Sequence, residues 1–178
     1  MSDYVSKYNI VELDADAQKL ASSFSCGNIY IDAFLKSPTA LDIGFGKTYI
    51  WIDDDGREIV GFYNITTGSV VEASEEGYSK IGGSIHINEF AVSKDYQKVH
   101  VGDRMYVSDL LLGDCIERAI YIRENLVGFS FITLQSTKEG HYCYQRNDFE
   151  DIEDDMKIEK TSGVEDDCIP MYLPLDLV

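Results

Sequence analysis

The apolar residues of this chain follow two periodicities, which predict a mixed α and β structure. Alternation with period two predicts strands, and apolar residues three or four positions apart predict helices. The predicted strands cover residues 8–13, 47–52, 58–66, 84–92, 129–134 and 168–173. The predicted helices cover residues 14–23, 29–36 and 108–123, followed by a short helix that carries Tyr144.

Turn residues divide these elements and predict how some of them are joined. Residues 53–56, Asp-Asp-Asp-Gly, lie between two apolar runs and predict a hairpin. Residues 68–83 are polar and include several acids, which predicts a loop rather than a strand. The long helix carries a helical stripe that predicts its core face, formed by Leu112, Ile116, Ala119 and Ile120. This order of elements predicts the α+β class, with a mixed, mostly antiparallel sheet and helices on both faces.

Length and composition limit the class of protein. A chain of 178 residues with 44% hydrophobic content predicts one globular domain over residues 1–178. No apolar run reaches the roughly 18 residues of a membrane span, and the first residues do not resemble a signal peptide. The four cysteines are widely spaced and do not form ligand clusters with the three histidines. We therefore expect reduced thiols, no metal, no membrane contact and a cytoplasmic location.

The charge of the chain is strongly acidic, with a formal net charge of −17. Residues 148–167 contain ten acids and two lysines, and so supply −8 of that charge. Such a segment is either a solvated surface or a surface that attracts a cationic amine or a basic partner. Nucleic-acid binding requires clustered Lys and Arg residues, which the sequence lacks. A nucleic-acid ligand is therefore not expected.

The stretch from residue 85 to residue 149 carries the most chemical information. It reads as strand, polar loop, helix, strand and short helix, an order that suits a long anionic cofactor. It contains Phe90-Ala-Val92 followed by Tyr96-Gln97, and later Cys143-Tyr144-Gln-Arg-Asn-Asp148-Phe149. These residues resemble the GNAT acyltransferases, the acetyl-CoA-dependent N-acetyltransferases. The first group matches their entry to the acetyl-CoA site, and the second resembles their F-Y-x-x-x-G-F motif. Cys replaces the motif's Phe, and Asp replaces its Gly.

Upstream segments are similar to one branch of that family, which includes the bacterial acetyltransferase toxins. These segments are Phe24-Ser-Cys-Gly-Asn28, Ile31-Asp-Ala-Phe-Leu-Lys36, Lys47-Thr-Tyr-Ile50 and Val60-Gly-Phe-Tyr63. The resemblance extends over roughly residues 8–175, and the order and spacing of the matches make it specific.

The resemblance implies acetyl-CoA as cofactor and assigns roles to several residues. The main chain of Phe90, Ala91 and Val92 would polarise the thioester carbonyl. Tyr144 would act as general acid toward the leaving thiolate. Ser136 and Gly140 would flank the pantetheine arm.

The loop that binds the cofactor's phosphates departs from the family pattern Q/R-x-x-G-x-G/A. Residues 97–102, Gln-Lys-Val-His-Val-Gly, keep only the second glycine, Gly102. Alternatively, residues 99–107 contain an insertion, and the helix beginning at Ser108-Asp109 follows the motif. The first turn of that helix, with Ser108 and Asp109, would then contact the cofactor and point its free N–H groups at the pyrophosphate. In either case Lys98, His100 and Arg104 would supply positive charge. Without the glycines, this loop is expected to become ordered only when the cofactor binds.

The general base has two candidates on one strand. His86 has an intrinsic pKa suited to accept a proton near neutral pH, and Glu89 lies further along the same strand. Ordered water is a third alternative.

Three functions remain open from the sequence. The first is acetylation of a primary, preferably cationic, amine of a small molecule or a protein, with a homodimer as a possible assembly. The second is a catalytically degenerate binding or interaction protein with the same fold. The third is a toxin-like acetyltransferase of a toxin–antitoxin pair.

Overall fold

The computed structural model describes residues 4–102, 104–159 and 167–175. Its strands are β1 (Ile10–Glu12), β2 (Lys47–Ile52), β3 (Ile59–Ser74), β4 (Gly77–Val92), β5 (His100–Val101), β6 (Met105–Tyr106), β7 (Phe131–Ser136), β8 (Glu150–Asp151), β9 (Met156–Glu159) and β10 (Ile169–Pro174). Its helices are α1 (Ile29–Lys36), α2 (Val107–Asn125) and α3 (His141–Gln145), with 3₁₀ helices at Ala17–Ser23, Pro38–Leu41 and Ile43–Phe45. The predicted α+β class is confirmed. Residues 160–166 of the acidic segment lie outside the described residues.

Helix α1 spans the predicted residues because its ends are defined by side-chain chemistry. The Asn28 side chain accepts hydrogen bonds from the amides of Tyr30 and Ile31, as an N-cap does. Ser37 is extended and Pro38 follows, so the helical pattern cannot continue.

The chain forms two compact units. The first unit comprises Met1–Ile65 and Asn88–Arg118, and the second comprises Thr66–Ile87 and Ala119–Val178. Strands β3 and β4 and helix α2 each contribute residues to both units.

In the first unit, helices cover both faces of the sheet. β1 and β3 pair antiparallel with β2. Phe62 packs against Phe24 and Phe34 on one face, together with the 3₁₀ helix Ala17–Ser23 and α1. Residues 61 and 63 face the other way. There the Tyr63 hydroxyl donates to Asp114 of α2 over 2.6 Å.

Helix α2 presents a buried charge pair to the sheet of the first unit. The Asp114 carboxylate accepts hydrogen bonds from Tyr63 and from Tyr4, the latter over 2.8 Å. Arg118 donates from Nε to the Tyr63 hydroxyl over 2.7 Å. Its guanidinium carbon lies 4.4 Å from the Tyr4 ring centroid and 3.9 Å from that of Tyr49. The core face of α2 is therefore broader than the predicted apolar stripe.

In the second unit, β4 pairs in parallel with β7, β10 pairs antiparallel with β7 and β8, and β9 pairs antiparallel with β3. The prediction of a loop over residues 68–83 is wrong. This stretch completes β3 and begins β4, which form a long hairpin, and Gly77 follows its turn at φ 125°. The polar composition of this stretch predicted a loop. The polar side chains are exposed at this end of the hairpin, and pairing between the two main chains stabilises the strands.

Candidate active-site residues

The parallel pairing between β4 and β7 is short. It runs from Ser84 opposite Phe131 to Ile87 opposite Leu134 and stops there. β4 itself continues for five more residues to Val92, within the first unit. Ala91 and Val92 are buried and Phe90 is partly buried. The sequence predicted that the main chain of these three residues would contact the cofactor.

Gln97 stabilises the turn that follows β4. Its side-chain amide donates to the Val92 carbonyl over 3.0 Å and to the Cys26 carbonyl over 2.7 Å. The Lys94 amide also donates to Ser25, over 2.9 Å. Gln97 therefore binds the main chain of its own unit and connects the Phe24–Asn28 segment to the end of β4.

Glu89 is a half-buried carboxylate near the end of β4. It forms no hydrogen bond or salt bridge with any residue that the structure describes. Burial without a compensating charge disfavours the ionised form, and raises the pKa of Glu89 to about 7. Such a carboxyl group can exchange a proton near neutral pH.

The loop predicted to become ordered on cofactor binding contains a small element of regular structure, and its ordering by the cofactor stays a prediction. β5 and β6 form a small antiparallel hairpin, in which His100 pairs with Tyr106 and Val101 pairs with Met105. Gly102 is at its tip with φ 66°, so this glycine serves the turn. Asp103 lies outside the described residues. The insertion alternative accounts for this hairpin.

Two cationic side chains lie on or beside the hairpin. Lys98 and Arg104 are exposed, and neither forms a salt bridge with the part of the chain that the structure describes. They therefore remain candidates for phosphate contacts.

Helix α2 begins at Val107, one residue before the predicted start. Ser108 is therefore inside the first turn rather than the N-cap. The Asp109 carboxylate accepts a hydrogen bond from the Tyr106 amide over 2.9 Å, as the acidic residue of a capping box does. The negative charge of Asp109 thus stabilises the helix N-terminus, where the sequence predicted a cofactor contact.

Tyr144 lies on α3 in the second unit, with its side chain largely buried. Its ring packs edge-on against Phe149, with centroids 5.8 Å apart. A methyl group added at Gly140 would lie 3.4 Å from Ser136 Oγ and 3.5 Å from the Tyr144 ring. Ser136, at the end of β7, Gly140 and Tyr144 therefore lie close together. Their contact with the pantetheine arm stays a prediction.

Asp148 ends the turn after α3 in a left-handed conformation, with φ 66°. The amides of Asn147 and Phe149 donate to the Tyr144 carbonyl over 2.9 and 3.1 Å. The family motif has glycine at this position, and the backbone here has the conformation that glycine adopts without strain. The backbone at Asp148 therefore has the conformation of the motif's glycine position, although the residue is an aspartate.

We expect Asp148→Gly to raise the free energy of unfolding by about 1 kcal/mol, because glycine relieves the left-handed strain. Urea unfolding monitored by circular dichroism measures the change. The matched control is Asp95→Gly, which removes the same charge at an exposed position where φ is not positive and should destabilise the fold. Equal effects of the two substitutions would contradict this explanation.

His86 is held by a neighbouring strand. Its Nδ1 lies 2.9 Å from Thr133 Oγ1, and Thr133 in turn donates to Ser84 Oγ over 3.2 Å. Thr133 is fully buried. Sequence reasoning selected His86 for its imidazole, and could not foresee this contact because Thr133 is 47 residues away.

A second histidine contact was not foreseen. His141, at the start of α3, lies with Nε2 2.6 Å from a carboxylate oxygen of Asp151 in β8. This contact joins the helix that carries Tyr144 to the adjoining strand.

Two kinds of feature are absent from the described residues. No group of three or more His, Cys, Asp or Glu residues in this part of the chain could hold a metal ion. None of the described helices is long and apolar enough to cross a membrane.

Comparison with known proteins gives structural matches only. No family model and no curated protein sequence matches the chain. A bacterial toxin of known structure is 18% identical, with TM-score 0.69, over 93% of this chain and 90% of that one. A tyrosine-to-phenylalanine mutant of the toxin AtaT, bound to the C-terminus of the antitoxin AtaR and acetyl-CoA, is 15% identical, with TM-score 0.67, over 93% and 91%.

AtaT complexed with acetyl-methionyl-tRNAfMet is 17% identical, with TM-score 0.68, over 93% of each chain. These identities are low, whereas the coverage is nearly complete, so the likeness concerns the fold. The chain shares the GNAT fold of these toxins.

Proposed function

We propose that this protein is an acetyl-CoA-dependent N-acetyltransferase that acts on a primary amine. The observation that carries the proposal is the end of β4. Its parallel pairing with β7 stops at Ile87, while the strand continues to Val92. The main chain beyond Ile87 can therefore serve an extended ligand in place of a neighbouring strand.

Acetyl-CoA would supply the acetyl group as a thioester, and transfer to the amine nitrogen would form the C–N bond and break the C–S bond. An ammonium substrate would lose two protons, one to become the neutral nucleophile and one in forming the amide; the thiolate would gain one, and the other would pass to solvent. We assign removal of the first proton to Glu89, directly or through water, because its pKa of about 7 suits a base at neutral pH. We assign protonation of the thiolate to Tyr144. Amides of the Phe90–Val92 segment would polarise the carbonyl.

Thermal unfolding with and without acetyl-CoA tests cofactor binding. Ligand at a hundred times its dissociation constant should stabilise the protein by about 2.7 kcal/mol. Transfer of labelled acetyl groups to a panel of amines then distinguishes an enzyme from a catalytically degenerate binding protein. Absence of stabilisation would contradict the proposed function.

The acceptor is proposed to be a cationic amine of a small molecule or a protein, because the chain carries a net charge of −17. Its association should be faster at low salt. An aminoacyl-tRNA acceptor is the second candidate, favoured by the likeness to AtaT complexed with acetyl-methionyl-tRNAfMet. Efficient acetylation of charged tRNA, in preference to free cationic amines, would favour that toxin-like function.

Glu89→Gln is expected to change the pH dependence of both activity and stability. Activity of the wild type should rise with pH through about 7, as the carboxyl group loses its proton, and the variant should lose this rise. The pKa of Glu89 is raised from 4.5, so its contribution to stability is fully present below pH 4.5 and is lost as pH rises through about 7. At pH 8 the variant should therefore be more stable than the wild type by about 3 kcal/mol.

Urea unfolding at pH 5 and pH 8 measures the stability change, and initial rates across the same range measure the activity. The matched control is Glu75→Gln, which removes an exposed carboxylate. A pH profile that is unchanged in Glu89→Gln would remove this residue as the base.

Replacing Lys98 and Arg104 together by alanine should weaken acetyl-CoA binding by about 1–3 kcal/mol, because charge-assisted hydrogen bonds to phosphate would be lost. Calorimetric affinity measures the effect. The control removes two exposed cations elsewhere, Arg57 and Lys80. Equal affinities of the two double variants would mean that the phosphates bind elsewhere.

A further inference from the structure

A chain of hydrogen bonds leads from an exposed residue of β4 into the core of the first unit. Asn88 donates from Nδ2 to Asn64 Oδ1 over 2.6 Å, and Asn64 donates from Nδ2 to Thr48 Oγ1 over 3.0 Å. The Thr48 hydroxyl donates to the Ala40 carbonyl over 2.7 Å. Asn64 is fully buried and Thr48 nearly so, whereas Asn88 is exposed.

The donor and acceptor roles in this series of hydrogen bonds are determined by the main-chain carbonyl groups at its two ends. Ala40 presents a carbonyl oxygen, so Thr48 must donate to it and accept from the amide nitrogen of Asn64. Asn64 then has only its oxygen for Asn88. The Asn88 nitrogen also donates to the Phe45 carbonyl over 3.1 Å, so both of its hydrogens are used.

The Asn88 side chain is therefore fixed with Oδ1 as its remaining polar atom. This oxygen accepts no hydrogen bond from the residues that the structure describes. Its orientation cannot reverse without placing oxygens against the carbonyl groups of Asn64 and Phe45. The exposed end of the chain is thus a preorganised acceptor for an N–H or O–H group.

The neighbouring 3₁₀ turn, Ile43–Phe45, is held close to the same residues. Asp42 accepts from the Gly44 amide over 2.8 Å. Gly46 has φ 109°, and a methyl group there would lie 2.5 Å from the Ile65 carbonyl oxygen. The turn nevertheless leaves two large apolar side chains in solvent, with Ile43 74% and Phe45 54% exposed.

We propose that Asn88 Oδ1 and the apolar side chains of Phe45 and Ile43 bind a primary amine that carries an apolar group next to the nitrogen. Identifying this amine as the acetyl acceptor rests on the function proposed above. The oxygen would accept an N–H of the amine, and the apolar group would cover the exposed Phe45 ring. Phe45 is the residue that selects for that group.

The position of Asn88 along β4 agrees with this role. Asn88 precedes Glu89 by one residue and Phe90 by two, and a strand rises about 3.3 Å per residue. An amine held by Asn88 would therefore lie on the face of β4 that also carries Phe90, near the main chain proposed to polarise the thioester. Glu89 is on the opposite face of the strand and would accept a proton from this amine through water. Because hydrogen bonds already hold the turn and the Asn88 amide in place, binding requires little loss of side-chain entropy.

Calorimetric titration with three amines, without acetyl-CoA, tests the inference. Leucinamide should bind about tenfold more tightly than glycinamide, because only leucinamide has an apolar group for Phe45. Leucinamide should also bind about tenfold more tightly than its N,N,N-trimethyl derivative, which has no ammonium N–H to donate.

Phe45→Ala leaves every hydrogen bond of the chain in place and should reduce the preference for leucinamide over glycinamide to about twofold or less. Tyr30→Ala is the matched control, since Tyr30 is an aromatic residue of the same unit that is 73% exposed, and should keep the preference. Asn88→Ala, once circular dichroism shows that it is folded, should bind leucinamide and the trimethyl derivative equally.

Absence of binding to the wild type, or a preference that survives in Phe45→Ala, would overturn the inference. The outcome is separate from that of the proposed function, because the titrations require no turnover. Selective amine binding without acetyl transfer would contradict the proposed acetyltransferase function and support the amine-binding site. Acetyl transfer that does not depend on Phe45 and Asn88 would support the acetyltransferase function and contradict the amine-binding site.

Discussion

Tyr144→Phe is expected to lower turnover by about 10²–10⁴ while leaving the affinity for acetyl-CoA nearly unchanged. The substitution removes only the hydroxyl group, so the ring keeps its packing against Phe149 and beside Gly140. A phenol, with an ordinary pKa near 10, can protonate a thiolate whose conjugate acid has a pKa near 8.5. Loss of this proton transfer should affect the chemical step and not the binding step.

The matched control for this prediction is on the same helix. Tyr142 is 69% exposed, so Tyr142→Phe removes a hydroxyl group two residues away and should leave turnover unchanged. Steady-state rates give turnover, and calorimetry gives the affinity for acetyl-CoA. An equal rate in Tyr144→Phe and the wild type would exclude Tyr144 as the acid. A large loss of cofactor affinity would instead assign the hydroxyl group to binding.

Asp114→Ala is expected to reduce the free energy of unfolding by about 3–5 kcal/mol. The carboxylate is almost fully buried and accepts hydrogen bonds from the hydroxyl groups of Tyr63 and Tyr4. Its removal leaves the Arg118 guanidinium, which is also mostly buried, without its opposite charge. A buried cation that loses its partner carries its full desolvation cost.

The neighbouring residue Glu117 is the control. It forms an exposed ion pair with Lys7, so Glu117→Ala should change stability by no more than about 1 kcal/mol. Urea unfolding monitored by circular dichroism gives both values. If the two substitutions have similar effects, the Asp114–Arg118 pair contributes no more than a surface ion pair. A double-mutant cycle with Arg118→Ala would then measure the coupling between the two residues directly.

Local sequence signals were sufficient for elements whose ends are set by neighbouring residues. Helix α1 was predicted to the residue, because Asn28 caps its start and Pro38 prevents its continuation. Strand β2 was also predicted to the residue by its apolar pattern and the turn that follows it. The extension of β3 and β4 was missed because pairing between strands, and not residue composition, maintains that hairpin.

The candidate site also combines local features, which the sequence indicated, with contacts between distant residues, which it did not indicate. The motif around Tyr144 was recognised from residue order, and the left-handed φ of Asp148 agrees with the glycine position of that motif. The small hairpin of β5 and β6 was missed, because this segment lacks the family's glycines and was interpreted as a loop that the cofactor orders. The bond between Asn88 and Asn64 joins residues 24 positions apart, and no local pattern indicates it.

By itself, the sequence determined the α+β class, the order of the main elements, the acidic charge and the residues that resemble the acetyltransferase motifs. These properties depend on periodicity, on caps and turns, and on residue identity, all of which are local. The tertiary structure alone decided which polar groups are buried together, as for Asp114 with Tyr63 and for Asn64 with Asn88. It also decided the raised pKa of Glu89, since that shift arises from burial, and burial depends on residues that are distant in the chain.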